Sequence, residues 1–294
     1  MSSEPPTAAL AAGSPIYVIT MVPAAPSENR LETKPSEEIL MIRDALMSHG
    51  GAKSELPVLV GDATVHSSKS IQSKEGSTDD VVPYDAIVTK HESLDQYKKA
   101  IATSAYKAAI KNVESKVQTY GFQNDKIYVE WVYPIMQTLY SLLNWKVDCE
   151  TPVSPANLLK ATTEQYEMKQ SNGDSGLDNY KTRTQLKPFQ KAYVIEFITK
   201  NYVTSSFASL NQAEFEYNKS WLQAAYSYQV KRTFGGSLIS LDDGPKTFHQ
   251  VDIMEFPTRE TYIKWLESDY FQKLQGTRQA FTLDTQVQIN LPFY

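Results

Sequence analysis

The stretch from residues 247 to 290 constrains the fold most strongly, because its hydrophobic period changes twice. Residues 248–256 form a run of β-favouring side chains, which predicts a strand. From Tyr262 to Leu274 the apolar side chains recur at helical spacing, and Gly276 stands where such a helix should end. The alternation from Thr285 to Ile289 predicts another strand. The stretch therefore has the order strand, helix, strand.

The residues before this stretch extend the pattern. Ala192 to Ile198 has the composition of a strand. Asn211 to Lys231 is a helical run, and we expect Gly235 and Gly236 to stop it. The complete order is β-α-β-β-α-β, which is the ferredoxin-like motif.

An earlier part of the chain repeats this unit. Three pairs of segments match: Ile16–Thr20 with 192–196, His49-Gly-Gly51 with Phe234-Gly-Gly236, and Ser104-Ala-Tyr106 with Ser268-Asp-Tyr270. The shifts between the paired segments are 176, 185 and 164 residues, which differ by about the length of one loop. Lys126 to Glu130 takes the place of the last strand. The sequence therefore predicts two copies of one domain.

These motifs resemble the small dimeric α+β-barrel proteins, whose relatives include the antibiotic-biosynthesis monooxygenase and stress-responsive barrels. The second half carries Glu-Phe-Pro at 255–257 and the Ser-x-Tyr helix, whereas the first half has His91-Glu92-Ser93 in place of Glu-Phe-Pro. The resemblance implies an α+β fold in which two ferredoxin-like repeats pack as an intramolecular dimeric α+β barrel. The two related halves also resemble algal pyrenoid shell proteins, which implies tiling into sheets.

The repeats divide the chain into four parts. Residues 1–15 are rich in Ala, Pro and Ser, and we expect a disordered arm. Residues 16–133 form the first repeat, and residues 134–190 form a connector with short helices. Residues 191–294 form the second repeat and end in a C-terminal tail.

Composition limits the partners. The net charge is −5 and neither repeat has a basic stripe, which argues against a nucleic-acid partner. No apolar run is long enough to span a membrane. The single cysteine, Cys149, excludes an intramolecular disulfide and indicates a soluble, reducing compartment. We expect the cytoplasm, or a plastid stroma if a targeting sequence has been removed.

The sequence offers few groups for metal or cofactor chemistry. Its four histidines have no metal-ligand spacing, and no glycine-rich phosphate loop is present. The glycine pairs have the pattern of helix stops. We therefore predict no metal, no cofactor, and no turnover that depends on a metal, a nicotinamide or a flavin.

A cleft between the sheet and a helix is the place where oxygenase relatives of the resembled family hold their polar groups. The candidates in this sequence are His249, Asp252, Glu196, Tyr193 and Tyr17. His249 and Asp252 are three apart on one strand, so their side chains point to opposite faces. The competing interpretation takes the two tyrosines as sheet aromatics that β propensity favours.

The chain ends in an apolar and aromatic tail formed by Leu291, Pro292, Phe293 and Tyr294. Pro292 lacks a backbone donor, so we expect the last strand to stop before it. The tail can then dock into a groove on a neighbouring copy, or it can pack against its own domain and stabilise the monomer.

Two functions follow from these observations. The first is a non-catalytic structural protein that self-assembles through surfaces added to a pseudo-two-fold barrel, as in a shell or lattice such as a pyrenoid shell, with itself as the partner. The alternative is a small-molecule enzyme or binder, monooxygenase- or cyclase-like, that uses the barrel cleft.

Overall fold

The computed structural model describes the parts of the chain that form the sheet and its flanking helices. These are residues 13–23, 34–49, 52–67, 84–113, 116–125, 191–200, 217, 221, 228–239, 241, 248–268 and 282–293. The predicted arm, the connector and the strand expected at 126–130 lie outside the described residues.

Nine strands and four helices are described along the chain. The strands are β1 (Ile16–Pro23), β2 (Lys53–Ser54), β3 (Val58–Ser67), β4 (Tyr84–His91), β5 (Gln118–Phe122), β6 (Ala192–Lys200), β7 (Lys231–Ile239), β8 (Gln250–Phe256) and β9 (Thr282–Phe293). The helices are α1 (Glu37–Met47), α2 (Leu94–Ile101), α3 (Ser104–Ile110) and α4 (Arg259–Glu267). The combination makes this an α+β fold.

Eight of the strands close into an antiparallel barrel. Their order is β1-β5-β7-β8-β6-β9-β3-β4, and β4 pairs with β1 to complete the circle. The two-residue strand β2 pairs with β4 beside this circle. Closure matters because an open sheet leaves a row of unpaired backbone groups at each edge.

Each half of the chain contributes four consecutive strands to the circle. The first half supplies the order β5-β1-β4-β3 and the second half supplies β7-β8-β6-β9. The halves meet at two seams of different length. At the long seam β3 pairs with β9 from Val58 opposite Phe293 to Ser67 opposite Gln286. At the short seam β5 and β7 share two residue pairs.

Alternation along the strands separates two cores. On β1, the side chains of Tyr17, Ile19 and Met21 face the barrel interior, where aromatic and aliphatic residues of both halves meet. Ile16 and Val18 face outward and pack against α1, α2 and α3. Both faces of the strand are therefore buried, and each fully buried aliphatic or aromatic side chain contributes about 1.5–3 kcal/mol.

Local sequence signals set where the helices begin. Ser36 caps α1 by accepting a hydrogen bond from the Ile39 amide, and Ser93 caps α2 by accepting one from the Gln96 amide. The helical run after Ser93 breaks at Ala102, and the Thr103 hydroxyl caps α3. Within the residues that the structure describes, no helix is both long and apolar enough to cross a membrane.

The glycine pair at 235–236 lies inside strand β7, so the expectation that it stops a helix is wrong. A β-carbon on Gly236 would lie 1.9 Å from the carbonyl oxygen of Gln123, because the chain after β5 crosses β7 at this point. The Asp125 amide also donates to the Gly235 carbonyl oxygen at 2.8 Å. Gly236 is needed for the close approach of two backbones, and this member of the matched glycine pairs is not a helix stop.

Candidate functional site

Two of the predicted site residues stand opposite each other on neighbouring strands. The register pairs Glu196 of β6 with Asp252 of β8. Their neighbours Ile195 and Phe197 belong to the barrel interior, and so does Ile253. Because side chains alternate along a strand, both carboxylates lie on the outer side of the barrel. The two groups therefore share one surface of the second half.

Arg232 of β7 forms an ion pair with one of these carboxylates, Asp252. Its Nε donates to Asp252 Oδ1 at 2.9 Å, and its Nη2 donates to the same oxygen. Gln250 Nε2 donates to Asp252 Oδ2 at 2.9 Å. Both oxygens of the carboxylate are thus engaged, and the Arg232 and Asp252 side chains are only 10% and 15% exposed. A shielded ion pair of this kind has a fixed geometry.

Gly235 makes room for the ion pair. It stands opposite Asp252 in the register of β7 and β8. A β-carbon at this position would lie 2.3 Å from Arg232 Nη2 and 2.4 Å from Asp252 Oδ1. The guanidinium therefore occupies the space that a side chain at 235 would fill.

The other predicted candidates lie elsewhere. Tyr17 and Tyr193 face the barrel interior, as the competing interpretation of sheet aromatics expects. The Tyr193 hydroxyl donates to Glu255 Oε2 at 3.0 Å. His249 lies just before β8, where its Nδ1 accepts a hydrogen bond from the Lys200 amide at 2.9 Å. The structure thus brings together only Glu196 and Asp252 from the predicted set.

Sequence reasoning missed Arg232 and Gln250. Gln250 could have been found, because it is two residues from Asp252 and so shares its face of the strand. Arg232 could not, because β7 has an irregular register between Arg232 and Phe234. A shift of this kind changes which side chains meet across the sheet and leaves no signal in the sequence.

The first half has no matching charge at the positions that correspond by register. Thr20 stands opposite Ile87 on β1 and β4, where the second half has Glu196 opposite Asp252. The buried carboxylate of the first half, Asp85, accepts hydrogen bonds from the backbone amides of Ser36 at 2.8 Å and Gly61 at 3.3 Å. Asp85 thereby holds a helix start and a strand in place.

His91 has a clearly perturbed environment. Its side chain is fully buried, and Nε2 lies 3.1 Å from the Thr89 hydroxyl oxygen. Burial lowers the pKa of His91 to about 4, because desolvation disfavours the charged ring. Across the part of the chain that the structure covers, no group of three His, Cys, Asp or Glu side chains could hold a metal ion.

The C-terminal residues continue the barrel. Strand β9 runs through Pro292 to Phe293, so the expectation that the proline ends the strand is wrong. Pairing between β9 and β6 stops at Asn290, and the residues of β9 beyond it pair with β3 among the described strands. Pro292 therefore lies at an edge position, which tolerates a residue without a backbone donor. Leu291 pairs with Val60 and is 2% exposed, while Phe293 is 37% exposed. Leu291 and Pro292 therefore pack within their own chain, and Tyr294 lies outside the described residues.

Comparisons with known proteins found similarity to solved structures. Neither the protein-family models nor the curated protein sequences contain a match to the chain. Among solved structures, it is similar to a putative chlorite dismutase (10% identity, 96% of each chain, TM-score 0.45). It is also similar to a putative monooxygenase from Fusobacterium nucleatum, with 8% identity over 96% of this chain and 94% of the other and a TM-score of 0.44. A putative monooxygenase from Lactobacillus acidophilus has 10% identity over 95% of this chain and 93% of its own, with a TM-score of 0.40.

These comparisons correct the main functional expectation. The similar structures bear the names of enzymes, whereas the sequence had favoured a non-catalytic protein that assembles into a shell or lattice. The interpretation as a pyrenoid-like shell component is therefore wrong, and the enzyme or binder is the better-supported alternative. Identities near 10% describe a shared fold, so the case for a function has to come from the residues of this chain.

Proposed function

We propose that the protein is a small-molecule enzyme or binder that uses a cleft on the outer side of the sheet of its second half. The observation that carries the proposal is the cluster of Glu196, Arg232 and Asp252 on the outer side of the barrel. Removing such charges from water costs several kcal/mol per ion, and the corresponding pair in the first half, Thr20 and Ile87, is uncharged. The barrel itself therefore does not need these charges.

The cluster divides into a fixed part and a candidate reactive part. Asp252 is held by Arg232 and Gln250, which makes it a positioned negative charge. Glu196 stands beside it with 8% of its surface exposed. A shielded carboxylate next to a fixed charge is a suitable acid or base for moving a proton on a bound molecule. Monooxygenase- or cyclase-like turnover and binding without turnover both use such a group.

We further propose that the two halves are ferredoxin-like repeats of one ancestral domain, at residues 16–133 and 191–294. The register supports this. A shift of 176 residues carries β1 onto β6, and a shift of 165 carries β4 onto β8, so that Ile16 opposite His91 corresponds to Ala192 opposite Phe256. The barrel then corresponds to a dimer of single-repeat proteins, and the charged cluster is a later addition to one repeat.

A ligand screen with matched variants tests the function. Purified protein is screened against a library of small metabolites by differential scanning fluorimetry, and each hit is titrated by calorimetry. We expect a ligand whose affinity falls about tenfold or more in Glu196→Gln and Asp252→Asn, because both changes remove a charge from the cluster. Oxygen uptake and product analysis with that ligand then separate an enzyme from a binder.

Asp85→Asn is the control. It changes a buried carboxylate of the first half that holds backbone amides, so it should lower the melting temperature and leave the ligand affinity unchanged. Hits that bind all three variants as tightly as the wild type would contradict the proposal. So would a complete absence of hits at millimolar ligand.

A further inference from the structure

A second polar group lies inside the barrel, on the opposite side of the strands from the charged cluster. Gln288 and Asn290 of β9 are completely buried. The register sets them opposite Ile195 and Tyr193, whose side chains belong to the barrel interior. Two carboxamides therefore stand in an interior that is otherwise mainly aliphatic and aromatic.

Backbone carbonyls fix the orientation of both carboxamides. Asn290 Nδ2 donates to the carbonyl oxygens of Gln288 at 3.2 Å and Tyr193 at 3.5 Å, so Asn290 Oδ1 faces the Gln288 side chain. Gln288 Nε2 then donates to Asn290 Oδ1 at 2.5 Å and to the Tyr84 carbonyl oxygen at 2.6 Å. Turning either amide over would place acceptors against acceptors.

This arrangement leaves Gln288 Oε1 as a buried acceptor. No donor in the described structure lies within hydrogen-bond distance of it. Rotating the Gln288 amide cannot give Oε1 a donor, because Nε2 must face the oxygens of Asn290 and Tyr84. Native proteins rarely leave such an atom unmet, so a donor from outside the chain is expected at this position.

Aromatic rings belong to the same barrel interior. The ring centroids of Tyr120 and Phe197 are 4.5 Å apart, and those of Phe197 and Phe248 are 5.3 Å apart. Phe197 is the next interior residue of β6 after Ile195, which is the register partner of Gln288. Rings in this position provide flat apolar surfaces beside the unmet acceptor.

One end of the interior is accessible to solvent. Tyr84, Gln118 and Tyr120 are partly exposed and form a chain in which Gln118 donates to the Tyr84 hydroxyl at 2.9 Å and accepts from the Tyr120 hydroxyl at 3.1 Å. Burial raises the pKa of Tyr120, and the nearby Tyr84 raises it further. The Tyr120 hydroxyl therefore stays a neutral donor within this chain of hydrogen bonds.

We propose that the barrel interior binds a small, flat, uncharged molecule that donates one N–H or O–H to Gln288 Oε1. The unmet acceptor requires a donor on the ligand, the interior rings favour a flat apolar body, and the mainly aliphatic and aromatic interior disfavours an ion. The site is distinct from the charged cluster, because the two lie on opposite faces of the same sheet.

Phenol and toluene are the probes, since they have similar size and shape and differ in the donor. Their affinities for the full-length protein are measured by ligand-observed NMR titration. We expect phenol to bind at least fivefold more tightly than toluene. Gln288→Met removes the acceptor and should abolish this preference, whereas Gln96→Met, the same change at the start of α2, should preserve it.

The inference would be wrong if the wild type bound the two probes with equal affinity, or bound neither up to the solubility limit. Either result would mean that only a buried water donates a hydrogen bond to Gln288 Oε1. If Gln288→Met does not fold, a phenol-soaked crystal of the wild type decides. In that crystal, the phenol oxygen must lie within hydrogen-bond distance of Gln288 Oε1.

Asp252→Asn should leave phenol binding intact. A loss there would place phenol at the charged cluster, which contradicts this inference and leaves the proposed function standing.

Discussion

His91 and Tyr97 meet edge to face beneath the helices of the first half, with ring centroids 5.1 Å apart and an angle of 74° between the rings. A shift of 165 residues carries this pair onto Phe256 and Tyr262, whose rings are 4.9 Å apart at 70°. The same shift carries the cap Ser93 onto the cap Thr258. An ionisable ring thus stands in one half where the other half has an apolar ring.

His91 should make stability depend on pH. The folded-state pKa of about 4 lies below the ordinary value of 6.5, so the unfolded chain binds the proton more readily between these values. Stability is full above pH 6.5 and falls as the pH drops towards 4, by on the order of 3 kcal/mol. Urea unfolding at several pH values measures this slope.

His91→Phe copies the second half and should flatten the slope between pH 6.5 and 4. The reciprocal variant Phe256→His should steepen it, because it buries a second imidazole in the equivalent place. A slope that His91→Phe leaves unchanged would show that other groups cause the acid sensitivity.

The ion pair between Arg232 and Asp252 should show strong coupling. Arg232→Met or Asp252→Asn leaves one charge without its partner in a shielded place, and each should lower the free energy of unfolding by about 2–3 kcal/mol. The double variant should lose less than the sum of the two by about 1 kcal/mol or more. Additive losses would mean that the two side chains act independently.

The two glycines of β7 should differ in their tolerance of a side chain. Gly236→Ala forces a β-carbon against the backbone of Gln123 and should cost about 3 kcal/mol. Gly235→Ala meets the movable end of Arg232 and should cost about 1–2 kcal/mol. The exposed Ser237→Ala on the same strand is the control. Equal losses for the two glycines would contradict the chain crossing at Gln123.

Deleting Leu291 to Tyr294 should destabilise the protein and leave its particle size unchanged. Leu291 is buried in the seam between β9 and β3, so its loss should cost about 2–5 kcal/mol. Deleting only the last two residues should cost much less, since Phe293 is partly exposed. Light scattering and thermal unfolding measure both quantities. A smaller particle with an unchanged melting temperature would instead show that the tail holds copies together.

Local patterns predicted the elements that local physics controls. Strand β6 was expected to begin at Ala192 and does so, because a run of β-branched and aromatic residues favours extended backbone wherever it packs. The cap at Ser93 is equally local, since it depends on a hydroxyl and an amide three residues apart. The α+β class followed from the order of these elements.

The failures all concern contacts between distant parts of the chain. A glycine pair looks the same in sequence whether it ends a helix or admits a crossing backbone, and only the position of Gln123 decided that Gly235 and Gly236 belong to a strand. The end of β9 was misjudged for the same reason. Whether a strand can contain Pro292 depends on which neighbours flank it.

The sequence by itself determined the candidates Glu196 and Asp252, because residue type and alternation are local properties. Only the tertiary structure decided that they face each other, that Arg232 pairs with Asp252, and that Tyr17 and Tyr193 lie on the other side of the sheet. The physical reason is register. A shift of one residue moves every side chain of a strand to the opposite face, and register is set by the pairing of whole strands across the closed barrel.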